Sequence, residues 1–358
     1  MNYSEKPIFI ISSERSGSNL LRKRITDSQD YYLGPSPGHF LKHLYYQQPY
    51  YGDFSLDQNF EKFISDALDL CLVHFSPWKI DWTPESVLIS YGEQRRDAVH
   101  LMHFMMNKYA KEQGFQGYIC KDNHLFEMAS EIAAEIPGAK FIYLYRDPRD
   151  FILSQLKRPS ALHSVVTQSK LWAYEQTKAI AISERLRAKN RCLFISYETL
   201  ISEETATLER LLAFLNVGPG EGKNYQDSMR EDVHEWSNLS RPTMQENSGR
   251  FLRELPMKKI SIAESICFRQ MSYLGYQRVG DSGRRPSRAF LYLDSLLGLG
   301  KKKVASIFSK TDKESAVAKR SAVLSRMRSN QYAHSGLSLV SRKQREEGLK
   351  RPLARFDP

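Results

Sequence analysis

The sequence predicts an α/β protein in which a mostly parallel sheet is flanked by helices. Apolar runs of strand length, at residues 7–11, 117–120, 140–145 and 191–196, alternate with segments of helical periodicity. The residues Arg15, Lys121, Arg146 and Tyr197 fall at or just past the ends of those runs, and parallel sheets collect their ligands outside the carboxyl ends of the strands. With 358 residues, 41% hydrophobic and 26% charged, the chain can bury a full core, either as one large domain with an extension or as two domains. Nothing in this composition suggests wholesale disorder.

The first run, Pro7-Ile8-Phe9-Ile10-Ile11, leads into Ser-Ser-Glu-Arg-Ser-Gly-Ser-Asn-Leu-Leu at 12–21, and Leu20, Leu21 and Ile25 share one helical face. A strand, a small-residue turn and a helix start form a P-loop-like anion site. Gly17 allows the tight turn, Ser16, Ser18 and Asn19 add hydroxyl and amide groups, and Arg15 supplies charge. An ordinary strand-to-helix turn with an incidental arginine also fits these residues. No Gly-x-x-x-x-Gly-Lys-[Ser/Thr] occurs, so the lysine and magnesium arrangement of nucleotide triphosphatases is not expected.

Residues 31–40 read as a Gly- and Pro-rich loop that ends at His39. Residues 41–115 read as a mainly helical insertion on the acceptor side, with the aromatics Tyr45, Tyr46, Tyr50, Tyr51 and Phe54 either packing under a loop or facing an acceptor. His100 and His103 lack a third ligand at metal spacing and read as core or surface residues. The strand at 140–145 runs into Arg146-Asp147-Pro148, where Asp147 suits an N-cap and Pro148 the first helical position. At about 100° per residue, Ser154 returns to nearly the face of Asp147, so Arg146 and Ser154 can address one bound group. A strand at 191–196 ends near Tyr197, and Leu208, Leu211, Leu212 and Leu215 mark the next helix.

The net charge of +11 sits at one end. From Asp281 onward 18 Lys and Arg face 7 Asp and Glu, a surplus equal to the whole, so residues 1–280 balance and the pI gives no reason to expect nucleic acid as a partner. Residues 281–358 therefore read as a basic C-terminal extension, helical or disordered, either docking on a membrane surface or protein partner or simply solvated. Cys71, Cys120, Cys192 and Cys267 are too scattered for a zinc site and read as buried thiols. A first strand starting near Pro7 and the lack of a run of about 20 apolar residues point to a cytoplasmic protein.

The motifs in this order, over roughly residues 7–277, resemble the sulfotransferase superfamily. Arg15-Ser16-Gly17-Ser18-Asn19 looks like its 5′-phosphosulfate loop, and Tyr143-Leu144-Tyr145-Arg146-Asp147-Pro148-Arg149-Asp150 with Ser154 looks like its 3′-phosphate motif. Trp172, Tyr197-Glu198, Gly249-Arg250-Phe251 and Leu274-Gly275-Tyr276 follow in the expected order. The resemblance implies 3′-phosphoadenosine 5′-phosphosulfate (PAPS) as sulfuryl donor and a small-molecule or carbohydrate acceptor. Ser16, Gly17, Ser18 and Asn19 would hold the 5′-phosphate and sulfate, and Arg146 and Ser154 the 3′-phosphate. Tyr197 would lie near adenine, Arg250 would add a phosphate contact, and Lys121 would orient the donor or bind the acceptor. Three departures stand out: many relatives have lysine at Arg15, cytosolic members have an adenine-stacking tryptophan where Leu20 stands, and many bacterial relatives have glutamate in the loop that here reads Ser36-Pro37-Gly38-His39.

The implied chemistry needs a base for the acceptor proton and cations where the leaving group gains charge, and it requires no metal. Arg15 is the expected charge stabiliser and His39 the expected base, with Glu93 in reserve or binding the acceptor. The alternative is a non-catalytic binding module that keeps the nucleotide fold and docks through its basic tail.

Overall fold

The computed structural model describes residues 6–74, 76–158, 163–220, 245–280, 294 and 314–335. Strands β1 (Ile8–Ile11), β2 (Tyr32–Leu33), β3 (Gly117–Cys120), β4 (Lys140–Tyr145) and β5 (Cys192–Ser196) form one sheet in the order β2-β3-β1-β4-β5, every pairing parallel. Strand β1 is central and wholly buried, which accounts for its unbroken apolar run, since a parallel sheet is covered on both faces. The predicted α/β architecture is the observed one.

Helices cover the two faces according to the alternation along β1. Phe9 and Ile11 point into a core built from α2 (Leu41–Gln47), α3 (Asp57–Leu72), α4 (Pro84–Tyr91), α5 (Ala98–Glu112), α6 (Leu125–Glu135) and part of α8 (Val165–Arg187). Ile8 and Ile10 point the other way, to α1 (Ser18–Asp27), α9 (Tyr197–Ser202) and α10 (Glu204–Leu215). A third cluster joins α7 (Pro148–Leu156) and α8 to α12 (Met257–Tyr273), with Trp172 at 0% exposure, and the short α11 (Phe251–Glu254) packs its Phe251 beside Leu153.

One strand was not legible as such. Tyr32 and Leu33 lie in the Gly- and Pro-rich segment read as a loop, yet they pair with Gly117 and Tyr118 at the sheet edge. Two residues are too few to show alternation. The pairing is supported by Gln29, whose side chain accepts from the Tyr31 and Tyr32 amides, each at 2.6 Å, and donates to the Tyr32 carbonyl at 2.8 Å.

Part of the basic extension belongs to the body. Helix α13 (Glu314–Ser335) lies against α2 and α3 and buries Val323 and Met327. Arg326 Nε donates to Asp66 at 2.8 Å, Lys62 Nζ donates to Asn330 at 2.7 Å, and Arg320 reaches the carbonyls of Leu70, Gly38 and His39 at 3.1, 2.9 and 3.3 Å. The leucine-rich stretch and Lys301-Lys302-Lys303 lie outside the described residues. Among the described residues no helix is long and apolar enough to cross a membrane, and the four cysteines are free and buried.

Candidate active site

The turn after β1 carries the first group of candidates. Gly17 precedes α1 with φ 86°, a left-handed conformation suited to glycine, and a Cβ there would lie 2.4 Å from the Tyr197 ring. Arg15 is also left-handed, at φ 61°. No side chain caps α1, so its first-turn N–H groups remain available to an anion. Ser16 is fully buried, yet its Oγ, like Asn19 Oδ1, has no hydrogen-bond partner among the described residues. Buried polar atoms are rarely left unpaired, so two such atoms in one turn make it a candidate ligand site.

The end of β4 supplies the second group. Arg146 Nη1 donates to the Arg15 carbonyl at 2.9 Å, Nη2 donates to the Asn247 carbonyl at 2.8 Å, and the guanidinium lies 4.2 Å from the Tyr197 ring centroid. Asp147 caps α7 by accepting from the Arg149 amide at 2.8 Å, as its sequence position predicts. Arg149 is buried and pairs with both Asp147 and Glu264 at 2.6 Å, locking α7 to α12. Asp150 accepts from the Gly249 and Phe251 amides at 2.7 and 2.9 Å, which draws the 249–251 turn beneath α7. Arg250 then reaches Asn247 Oδ1 at 3.1 Å and pairs with Glu254 at 2.8 Å.

These groups meet. Arg15 Nε donates to Ser154 Oγ at 3.1 Å, bringing the arginine of one motif onto the serine of the other. Arg15, Ser16, Gly17, Arg146, Ser154, Tyr197 and Arg250 thus form one connected cluster, with Ser18 and Asn19 in the first turn of α1.

A second chain of contacts borders it. His39, at φ 50°, places Nδ1 3.3 Å from Asp122 Oδ1, which leaves Nε2 as the nitrogen able to accept a proton when Nδ1 carries the hydrogen. Burial and the nearby Lys121 charge hold the His39 pKa below its ordinary value against the opposing pull of Asp122, so the imidazole is neutral at pH 7. Burial alone would raise the Asp122 pKa, but His39 and Lys121 bring it below the usual carboxylate range. Burial lowers the Lys121 pKa, opposed by Glu14 and Asp122. Lys121 Nζ donates to Asn123 Oδ1 at 3.1 Å, and Asn123 donates to Glu14, next to Arg15, at 2.9 Å. Asp122 went unnoticed in the sequence because its partner lies 83 residues away. Glu93 sits on an exposed turn after α4 and joins none of these contacts.

Glu14 and Asn123 of this second chain of contacts also line a pocket of about 160 Å³ whose walls include Ser12, His124, Phe126 and Glu175. The aromatics of 45–54 are committed elsewhere: Tyr45 and Tyr46 bond Glu131 and Glu127, and Tyr51 is buried on Asp66. Among the described residues no group of His, Cys, Asp and Glu is arranged to hold a metal ion.

A parallel sheet with two polar, arginine-bearing turns at the carboxyl ends of the adjacent strands β1 and β4 defines an α/β protein whose candidate site lies outside those strand ends. The model of the sulfotransferase family matches residues 7–218, and the chain belongs to that family. Its fold is shared with the sulfotransferase domain of the olefin synthase of Synechococcus PCC 7002, at 18% identity and a TM-score of 0.52 over 76% of this chain and 96% of that one. It is likewise shared with the sulfotransferase domain from the curacin biosynthetic pathway, at 20% identity and a TM-score of 0.51 over 77% and 100%. No curated protein matches the chain.

Proposed function

We propose that the protein transfers a sulfuryl group from PAPS to a hydroxyl or amine acceptor, carbohydrates among the candidates. The observation that carries this reading is the Arg15–Ser154 hydrogen bond, because it joins two anion grips into one site for a ligand charged at both ends. The unpaired atoms fit such a ligand: Ser16 Oγ, Asn19 Oδ1 and Arg146 Nε are all buried and all without partners among the described residues. PAPS, when bound, supplies the activated sulfuryl group.

The chain's own residues divide the work. Ser16, Gly17, Ser18 and Asn19 hold the 5′-phosphate and sulfate through hydroxyl, amide and backbone N–H groups. Arg146 and Ser154 hold the 3′-phosphate, Arg250 adds charge nearby, and Tyr197 borders the adenine. Arg15 stays protonated and stabilises negative charge that builds on the leaving group. His39, oriented by Asp122, accepts the acceptor's proton at Nε2, and Lys121 steadies charge between donor and acceptor.

The test is calorimetric binding of 3′-phosphoadenosine 5′-phosphate (PAP), together with transfer from labelled PAPS, by the wild type, Arg15→Ala and Arg146→Ala. Loss of PAP affinity in Arg146→Ala and loss of transfer in Arg15→Ala support the reading. Full nucleotide binding by both variants would sink it.

A further inference from the structure

We propose that Tyr276 is a positioning residue for the 3′-phosphate end of the donor: acting through Glu198 on the peptide between Arg146 and Asp147, it makes the site select a nucleotide that carries a 3′-phosphate. This rests on the sulfotransfer reading and names the residues behind its choice of donor. The segment 276–280, just past α12, lies against the start of α7, where Arg146 stands.

Arg146 is flanked on both sides by contacts of Tyr276. On one side the Tyr276 ring packs edge-on against Tyr145, with centroids 6.2 Å apart. On the other, Glu198 uses both carboxylate oxygens: Oε1 accepts from the Asp147 amide at 3.0 Å, and Oε2 accepts from the Tyr276 hydroxyl at 2.8 Å. The Asp147 amide belongs to the planar peptide that follows Arg146, so this bond fixes the backbone from which the arginine side chain departs. Burial raises the Glu198 pKa, and the bonds from Asp147 and Tyr276 pull it back, so the hydroxyl helps keep the group in the charged form that accepts at both oxygens.

Tyr276 is itself held in place. Glu264, at 0% exposure, accepts from the Val279 and Gly280 amides at 2.9 and 3.0 Å and from Arg149 at 2.6 Å. Arg149 in turn donates to the Gln277 carbonyl at 3.0 Å. A fully buried carboxylate satisfied by these donors anchors the backbone just beyond Tyr276 to α12 and α7. The ligand side of Arg146 is different, for its Nε is buried and has no partner among the described residues. Its fit to a phosphate therefore depends on how the backbone presents it, and such contacts need placement to within about 0.5 Å.

The experiment measures calorimetric affinities for PAP and for adenosine 5′-phosphate (AMP), which lacks the 3′-phosphate, in the wild type, Tyr276→Phe, Glu198→Gln and Glu198→Ala. The readout is the ratio of the two affinities, because a merely structural loss weakens both nucleotides equally. We expect the wild type to favour PAP and Tyr276→Phe to lower PAP affinity on the order of tenfold with AMP affinity unchanged. Glu198→Gln keeps an oxygen for the Asp147 amide, so its ratio should fall less than that of Glu198→Ala. A ratio unaltered in Tyr276→Phe and Glu198→Ala, or an equal loss for both nucleotides, overturns the proposal while PAP binding by the wild type preserves the donor reading. A wild type that does not bind PAP overturns the donor reading itself, and the selectivity proposed here with it.

Discussion

Arg320, on the helix nearest the end of the described chain, donates to the carbonyl oxygen of His39, 281 residues earlier, at 3.3 Å. The same guanidinium reaches Gly38 and Leu70, so one side chain fixes the turn in which His39 adopts φ 50°. Left-handed backbone is unfavourable for histidine, and the three contacts help hold it there. Arg320→Ala should therefore cost about 2–3 kcal/mol of stability, read by chemical denaturation. It should also lower kcat for sulfuryl transfer while leaving PAP affinity unchanged.

His39→Asn retains a residue that tolerates left-handed backbone but removes the proton acceptor. Transfer should fall by roughly 100- to 10,000-fold with PAP binding intact, measured by labelled sulfate transfer and calorimetry. Because the His39 pKa lies below the ordinary 6.5, the wild type should keep its neutral base down to mildly acidic pH. Activity then falls only as the imidazole protonates, so the acidic limb of kcat/KM should lie below 6.5. A limb above 6.5 would assign the proton to another group.

Gly17→Ala meets two obstacles, a positive φ and the Tyr197 ring at 2.4 Å. The strain should weaken PAP binding at least tenfold and displace Tyr197 from Arg146. Intrinsic fluorescence and calorimetry would show both effects. Unchanged nucleotide affinity would mean that the turn does not contact the ligand.

Glu175 ties pH to stability. Its folded pKa of about 7 exceeds the ordinary 4.5, so the folded protein retains a proton that the unfolded chain has released between those values. Stability from this group is complete below pH 4.5 and lost as pH rises through about 7. The difference corresponds to about 3 kcal/mol. Glu175→Gln should flatten this dependence, and urea denaturation at pH 5 and pH 8 would measure it.

The strand-turn-helix at 7–21 and the strand leading to Arg146-Asp147-Pro148 were legible because local residues decide them. Gly17 sets the turn, Asp147 caps α7, and apolar runs mark β1 and β4. Asp122 beside His39 was hidden because that contact depends on how the loop after β3 meets the loop before α2. Glu175 was hidden for a related reason: a glutamate in mid-helix looks solvated until Phe126 and Ser12, from other elements, close around it. Helix α13 read as part of a charged tail because its apolar residues are few, yet Val323 and Met327 are enough to seat it.

Helix α13 also imposes a timetable on biosynthesis. A polypeptide emerging from the ribosome can assemble the sheet, both anion grips and α12 from residues that appear by Tyr273. The turn bearing His39 is then complete but unbraced until Arg320 has followed. If the proposed function holds, nucleotide capture would precede full organisation of the turn that bears His39, and a chain stopped between residues 280 and 313 should still bind PAP while its His39 turn is loosened.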